Sequence, residues 1–146
     1  MKAGSDSSFV VDASVAVAWV YPDQATDYSN SALKAFLLGS VIHAPQIWPL
    51  EVTNALVVLF RRGKLTLEER EEAMGWLSKL PVAIDDQGTN QTFARIPHIA
   101  LQFGLSAYDA TYLELAARGG LALACKDGAL REAAAKARVK IWRPAE

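Results

Sequence analysis

The sequence predicts an α/β fold, a three-layer α/β/α sandwich in which a short, mostly parallel sheet of about five strands is flanked by helices. Two observations lead to this prediction. Short apolar runs rich in β-branched residues alternate along the chain with longer segments of helical periodicity. Turn and capping residues separate the two kinds of segment. Strands that alternate with helices form parallel βαβ units, which place helices on both faces of the sheet.

Five apolar segments are predicted to be strands, and their shortness and lack of polar alternation predict burial on both faces. They are residues 9–12, 41–44, 82–84, 121–125 and 139–142. Seven further segments are predicted to be helices. These are residues 13–20, 25–38, 49–61, 67–80, 89–103, 107–118 and 128–137. In open sheets of this kind, ligands bind outside the carboxyl ends of the strands, so the residues that follow each strand are the first candidates for a site.

The ends of the predicted helices carry recognisable start and stop signals. Thr66 and Glu69 match a capping box, in which each side chain accepts a hydrogen bond from the other residue's backbone N–H. Pro49 stands where the first turn of a helix tolerates proline. Glycines follow three of the helical segments as stop signals, namely Gly39, Gly63 and the pair Gly119 and Gly120.

Length and composition indicate one packed domain, predicted over residues 9–146 after a flexible N-terminal leader at residues 1–8. The single cysteine, Cys125, excludes an intrachain disulfide framework and a cysteine-based zinc site, so a reducing cytoplasm is the expected location. The apolar run at residues 9–21 is too short to cross a membrane and contains Asp12. A net charge of −1 excludes nucleic-acid binding by bulk positive charge alone.

Acidic residues stand where the predicted strands and helices end. Asp12 ends the first strand and Asp127 follows the fourth, so both are expected at the carboxyl edge of the sheet. Asp109 lies at the start of the helix that leads into the fourth strand. Glu51 and Asn54 are polar members of an otherwise apolar helix, and their spacing of three residues places them on one face.

Each acid also has an ordinary structural interpretation. Asp12 and Asp127 suit helix N-caps, and Asp109 stands at the last position of a capping-box pattern. Glu51 could form a structural salt bridge with Arg95 or Lys126. Capping explains each position separately, but it does not explain why several strand and helix ends bring acids to one crevice.

A cluster of carboxylates has an electrostatic consequence. Two carboxylates about 5 Å apart repel by roughly 3 kcal/mol at an effective dielectric constant near 20, so such a cluster must hold protons or bind cations. Ligand sets made only of oxygen suit hard divalent ions, Mg²⁺ or Mn²⁺, which keep several waters and bridge to substrate phosphates. The pattern therefore predicts a metal-dependent phosphodiesterase whose catalytic residues are Asp12, Glu51, Asp109 and Asp127.

The segments that carry these acids are residues 9–14 (FVVDAS), 49–56 (PLEVTNAL), 104–116 (GLSAYDATYLELA) and 123–127 (LACKD). They resemble, in order, the signature blocks of PIN-domain ribonuclease toxins, the VapC family of type II toxin-antitoxin systems. The resemblance covers nearly the whole chain, from residue 9 to residue 142, and the third block is its most specific part. It implies a PIN-like fold and endonucleolytic hydrolysis of RNA.

The resemblance also implies a role for each matching residue. Asp12, Glu51, Asp109 and Asp127 correspond to the family's acidic quartet, Asp12 and Asp109 to its chief metal ligands, and Ser14 and Asn54 to its polar support. The implied cofactor is Mg²⁺ or Mn²⁺, which would activate a water for in-line attack on phosphorus. The implied partners are the RNA substrate, a small antitoxin protein and a second copy of the chain as a homodimer. No membrane association is expected.

One position departs from the family's pattern. Cys125 stands two residues before the fourth acid, where the family usually has threonine or serine. A thiol is a weaker hydrogen-bond partner than a hydroxyl, so the orientation of the site could be loosened. The alternative interpretation is that Cys125 is simply a small buried residue.

Two basic groups are candidates for binding the RNA backbone, preferably that of a single strand. One is the segment 61–64, and the other comprises Arg131, Lys136, Arg138, Lys140 and Arg143. Solvated surface or antitoxin contact is the alternative interpretation of both groups.

Two other functions compete with the nuclease hypothesis. A phosphoacceptor receiver domain also gathers carboxylates at the ends of parallel strands, but it requires adjacent acids after the first strand and a nucleophilic aspartate after the third. Here a lone Asp12 follows the first strand, and Asp85 and Asp86 follow the third. A catalytically silent PIN-like module that binds RNA or protein would not need the acidic quartet, although Cys125 favours it. His43 and His98 lack partners at metal-ligand spacing and are predicted to be structural.

Overall fold

The computed structural model describes residues 8–86 and 88–145, and within these ranges a four-stranded sheet is accompanied by seven α-helices. The strands are β1 (Phe9–Val11), β2 (Ile42–Ala44), β3 (Ala83–Ile84) and β4 (Ala122–Ala124). The helices are α1 (Ala13–Val20), α2 (Asp27–Leu37), α3 (Trp48–Arg61), α4 (Leu67–Ser78), α5 (Thr89–Phe103), α6 (Ala107–Gly119) and α7 (Gly128–Lys136). A short 3₁₀-helix at Pro22–Gln24 follows α1. Residues 1–7 of the predicted leader lie outside the described residues.

The strand order β3-β2-β1-β4 determines where a ligand can bind. All neighbouring strands are parallel, and Phe9 of β1 lies opposite Ile42 of β2 and Ala122 of β4. The chain first extends the sheet from β1 to β3, and helices α5 and α6 then return it to the other side of β1. The strand order therefore reverses between β1 and β4, which is where open α/β sheets hold their ligands.

The hydrophobic core is centred on β1. Phe9, Val10 and Val11 are fully buried, and the ring of Trp142 packs against Phe9 with the ring centroids 4.9 Å apart. This burial on both faces explains why β1 is a continuous apolar run without polar alternation. The core fixes the end of β1, and therefore the residue that follows it.

The predicted fold class is confirmed, since a parallel sheet is flanked by helices. Helices α1 and α5 have the predicted bounds, and the predicted capping box is present: the Thr66 hydroxyl accepts from the Glu69 N–H at 3.0 Å, and the Glu69 carboxylate accepts from the Thr66 N–H at 2.9 Å. Gly120 ends α6 with φ +64°, a left-handed conformation that glycine adopts at little cost. No helix in the described ranges is long and apolar enough to span a membrane.

Two details of the sheet differ from the prediction. The predicted fifth strand, residues 139–142, is reduced to one bridge between Leu123 and Ile141. Successive residues of a strand direct their backbone N–H and C=O groups to opposite neighbours. In the three-residue β4, the middle residue Leu123 therefore pairs with segment 139–142, through hydrogen bonds to Lys140 and Trp142. Burial of every strand on both faces was also wrong, since Ala83 and Ile84 of β3 are exposed. β3 is an edge strand of two residues.

Candidate active site at the carboxyl edge of the sheet

Asp12 lies where the strand order reverses. Its backbone N–H donates to the carbonyl of Ala124 in β4 at 3.1 Å, so the residue is tied to both central strands. Its carboxylate oxygen Oδ1 accepts from the Ser14 hydroxyl at 2.7 Å and from the Val15 N–H at 3.2 Å. Asp12 therefore caps α1, as its structural interpretation required, and the cap holds the carboxylate at the edge of the sheet.

Burial makes the charge of Asp12 costly. The residue is only 7% exposed, and burial raises the pKa of its carboxyl to about 6. The hydrogen bonds from Ser14 and Val15 lower this pKa, and the negative charge of Asp109 raises it. Near neutral pH the group is thus a poorly solvated carboxylate, the kind of oxygen ligand that a cation stabilises.

Asp109, in the first turn of α6, interacts with the other three acids. Burial raises the pKa of its carboxyl, and the charges of Asp127 and Glu51 raise it further. The Ser106 hydroxyl accepts from the Asp109 N–H at 3.0 Å, but within the described ranges no hydrogen bond reaches the Asp109 carboxylate. The reciprocal half of the capping box is therefore missing, and capping does not explain this carboxylate.

Glu51, in the first turn of α3, accepts a hydrogen bond from the buried hydroxyl of Tyr112 at 2.6 Å. Tyr112 lies three residues after Asp109 on α6 and is 1% exposed. Burial and the bond to Glu51 raise the pKa of Tyr112, so its hydroxyl stays a donor at physiological pH. Sequence reasoning missed this residue. Its spacing from Asp109, which places both on one helix face, was the available signal.

Neither salt bridge considered for Glu51 exists in the described ranges. Arg95 pairs with Glu114 at 3.4 Å, and the Lys126 ammonium donates to the backbone carbonyl of Gln24 at 3.0 Å. The hydroxyl of a tyrosine, rather than a cation, holds the Glu51 carboxylate.

The remaining predicted site residues lie on the exposed side of the cluster. Asp127 is exposed and caps α7, because its Oδ2 accepts from the Leu130 N–H at 2.8 Å. Asn54 is exposed on the same face of α3 as the half-buried Glu51. Although α3 is otherwise apolar, one side of this helix therefore faces solvent.

The donor set fits a hard divalent cation in its chemistry. Asp109 interacts electrostatically with each of the other three carboxylates, and within the described ranges none of the four forms an ion pair with a lysine or arginine. Their geometry is not preorganised, since no three His, Cys, Asp or Glu side chains in these ranges are arranged as a metal site. Asp12, Glu51 and Asp127 each accept a hydrogen bond from a neighbouring donor, which orients their carboxylates.

Cys125 belongs to the core behind this edge. Its side chain is fully buried, and this burial, together with the charge of Asp12, raises the pKa of its thiol to about 12. Its backbone carbonyl accepts from the Arg131 guanidinium at 2.7 Å. These contacts favour the interpretation of Cys125 as a small buried residue.

The PIN domain family profile matches residues 9–136 of the chain. A search of curated proteins found no match. Among solved structures, the crystal structure of PAE2754 from Pyrobaculum aerophilum is similar, with a TM-score of 0.65 and 22% sequence identity over 91% of this chain and 83% of that chain. At that identity the likeness shows a shared fold. The family match over most of the chain's length shows that this chain belongs to the PIN domain family, whose members are generally nucleases.

Proposed function

We propose that this PIN domain is a metal-dependent endoribonuclease that hydrolyses phosphodiester bonds of RNA. One observation carries the proposal: carboxylates from four separate parts of the chain interact at the point between β1 and β4 where the strand order reverses. In the described ranges no protein cation pairs with them. Unpaired carboxylates in partial burial favour a hard divalent ion, and such ions serve phosphoryl chemistry.

The proposed ligands of the ion are chiefly Asp12 and Asp109, with Glu51 and Asp127 acting directly or through water. Mg²⁺ or Mn²⁺ bound there would activate a water for attack on phosphorus and neutralise the developing charge. The Ser14 hydroxyl orients the Asp12 carboxylate at 2.7 Å. In the same way the Tyr112 hydroxyl orients Glu51. The raised pKa of Asp12 means that an ion competes there with a proton.

We further propose that the chain is a cytoplasmic toxin of the VapC type, inhibited by a small antitoxin protein and active as a homodimer. The order of the four sequence blocks supports this assignment. Large apolar side chains exposed on α5 and the start of α6 offer a surface for a second copy: Phe93 is 75%, Leu101 85% and Tyr108 60% exposed. A short reading frame immediately upstream that encodes a small DNA-binding protein would support the toxin role.

The test is RNA cleavage by the purified chain. We expect cleavage with Mg²⁺ or Mn²⁺, none with EDTA, and a loss of at least about 100-fold in Asp12→Asn or Asp109→Asn. Asp86→Asn is the matched control, because Asp86 is an exposed acid after β3, away from the strand-order reversal. Unchanged cleavage in the first two variants would remove the assignment.

The same preparation distinguishes the two competing functions. A silent binding module would bind RNA but would not cut it with either ion. A receiver domain would form a stable aspartyl phosphate when incubated with acetyl phosphate.

A further inference from the structure

We infer that a groove between α1, the 3₁₀-helix and α3 binds the single-stranded RNA beside the cleaved bond, and that Arg62 contacts one of its phosphates. This inference rests on the proposed nuclease function and adds the path of the substrate. The groove has a volume of about 450 Å³. Its polar lining comes from Ser14, Gln24, Glu51, Asn54 and Arg62.

The groove is continuous with the acidic site. Glu51 lines the groove and also interacts with Asp109, and Ser14 lines it and also donates to Asp12. A strand whose scissile phosphate lies at the acids therefore has this groove as a direct extension of the site.

The groove follows one face of α3. Glu51, Asn54, Val58 and Arg62 are separated by three, four and four residues, so they lie on one side of the helix. At 1.5 Å per residue, Arg62 lies about 16 Å along the helix axis from Glu51. At about 3.4 Å per stacked nucleotide, that length accommodates about five stacked nucleotides, and fewer of an extended strand.

The face carries the acidic site at one end and the cation of Arg62 at the other, which suits an RNA strand that is cut at the acidic end. Arg62 follows the last turn of α3, where the helix dipole favours a cation, and within the described ranges it forms no ion pair. It is exposed and available to a phosphate. The side-chain amides of Asn54 and Gln24 carry both donors and acceptors, which suit base edges and the ribose 2′-hydroxyl.

In the second basic group, Arg131 is less available than Arg62. The guanidinium of Arg131 donates to the carbonyl of Cys125 at 2.7 Å and lies 4.8 Å from the centre of the Tyr28 ring. These contacts hold Arg131 against the protein.

A second groove, of about 370 Å³, differs from the first because no described lysine or arginine lines it. Its lining includes the apolar Leu50 and Ile96 and the acids Asp85 and Glu114, with no lysine or arginine. Arg118 pairs with both of these acids, so no lysine or arginine of the lining is available to an RNA backbone. The observations therefore favour RNA binding in the groove that contains Arg62.

The test compares Arg62→Gln with Lys79→Gln, which removes the same charge from an exposed lysine after α4 that does not line the groove. Binding of a fluorescently labelled single-stranded 12-nucleotide RNA is measured by polarisation with Mg²⁺. Full-length chain carrying Asp109→Asn is used, so that the RNA is not cut. Thermal unfolding verifies that both variants fold.

We expect Arg62→Gln to weaken binding about fivefold at 0.1 M salt and to reduce the slope of log affinity against log salt by about 0.7, the value for one phosphate contact on a single strand. Lys79→Gln should change affinity by less than about twofold. Equal effects of the two variants, or no RNA binding by the parent, would overturn the inference. Cleavage by the chain with Asp109 intact is measured separately, so that failure of the proposed function can be distinguished. If RNA is bound through Arg62 but is never cut, the proposed nuclease activity is refuted and the proposed RNA-binding groove is not.

Discussion

Helix α6 joins two acidic clusters that differ in their counter-charges. Its first turn carries Asp109, which interacts with Asp12 and has no hydrogen bond to its carboxylate in the described ranges. Five residues later, Glu114 is just as buried as Asp12, at 6% exposure. Glu114, however, accepts from the Arg118 guanidinium at 2.8 and 3.0 Å and from Arg95 at 3.4 Å.

The two clusters therefore have opposite electrostatic properties. Arg118 also pairs with Asp85 at 2.7 Å, and its bonds to Glu114 and Asp85 raise its own pKa, so both acids have an internal cation. Among the residues that the structure describes, no lysine or arginine pairs with the carboxyl of Asp12, and its pKa is raised to about 6. A buried carboxylate is therefore not in itself a sign of function. A buried carboxylate without a protein counter-ion, next to other carboxylates, indicates a site for an external cation.

The largest expected change in stability comes from the paired cluster of Glu114, Asp85 and Arg118. Glu114→Gln should reduce the free energy of unfolding by about 3 kcal/mol, because it leaves part of a partly buried guanidinium without its carboxylate. Urea unfolding measures the loss, and RNA cleavage per folded molecule should not change. Glu132→Gln, an exposed acid on α7, is the control, with an expected change within about 0.5 kcal/mol. A comparably small effect of Glu114→Gln would show that this cluster does not stabilise the fold.

The cluster of Asp12, Glu51, Asp109 and Asp127, called the unpaired cluster, should respond in the opposite direction: neutralising an acid there should increase the free energy of unfolding. Without divalent ions at pH 8, Asp12→Asn should increase the free energy of unfolding by about 1–3 kcal/mol, and asparagine retains the cap to Val15. The folded pKa of Asp12, about 6, lies above its ordinary 3.8, so protonation of this carboxyl stabilises the fold. That contribution is complete below pH 3.8 and is lost as the pH rises through 6.

Urea unfolding in EDTA from pH 3.5 to pH 8 measures this dependence. The advantage of Asp12→Asn over the parent should grow between about pH 4 and pH 6 and then level off. A difference independent of pH would mean that the burial of Asp12 does not penalise its charge.

A smaller effect, on catalysis, is expected at Tyr112, whose hydroxyl donates to Glu51 of the unpaired cluster. Tyr112→Phe removes the bond to Glu51 and keeps the ring, so cleavage should fall about tenfold and the Mg²⁺ concentration for half-maximal rate should rise. Tyr108→Phe, an exposed tyrosine on the same helix, should leave both quantities unchanged. An unchanged Mg²⁺ dependence in Tyr112→Phe would show that the tyrosine only packs.

The smallest effect is expected at Cys125. Cys125→Ser places a hydroxyl in a fully buried position, so it should cost about 1 kcal/mol of stability and change the cleavage rate by less than about tenfold. The native thiol should also resist thiol-labelling reagents until the chain unfolds. A large gain in activity with serine would show that the missing hydroxyl limits the site.

Local features were predictable from the sequence, and long-range contacts were not. Helices α1 and α5 have the predicted bounds because periodicity and caps are properties of neighbouring residues. The fifth strand failed because its pairing depends on β4, which is only three residues long. Short strands carry too little pattern to specify their partners.

The candidate site shows the same division. The positions of Asp12 and Asp127 follow from where their strands end, and the i, i+3 spacing relates Asn54 to Glu51. The bond from Tyr112 to Glu51 joins residues 61 positions apart, and no local pattern encodes it. That no described lysine or arginine pairs with Asp12 likewise depends on where the basic residues of other elements lie.

Calorimetric titration of Mn²⁺ into the full chain tests most directly whether the unpaired acids bind a divalent ion. We predict that the parent binds Mn²⁺, that Asp12→Asn and Asp109→Asn weaken the binding at least about tenfold, and that Asp86→Asn leaves it unchanged. Mn²⁺ binding that is equal in all four proteins, or absent from the parent, would contradict the account.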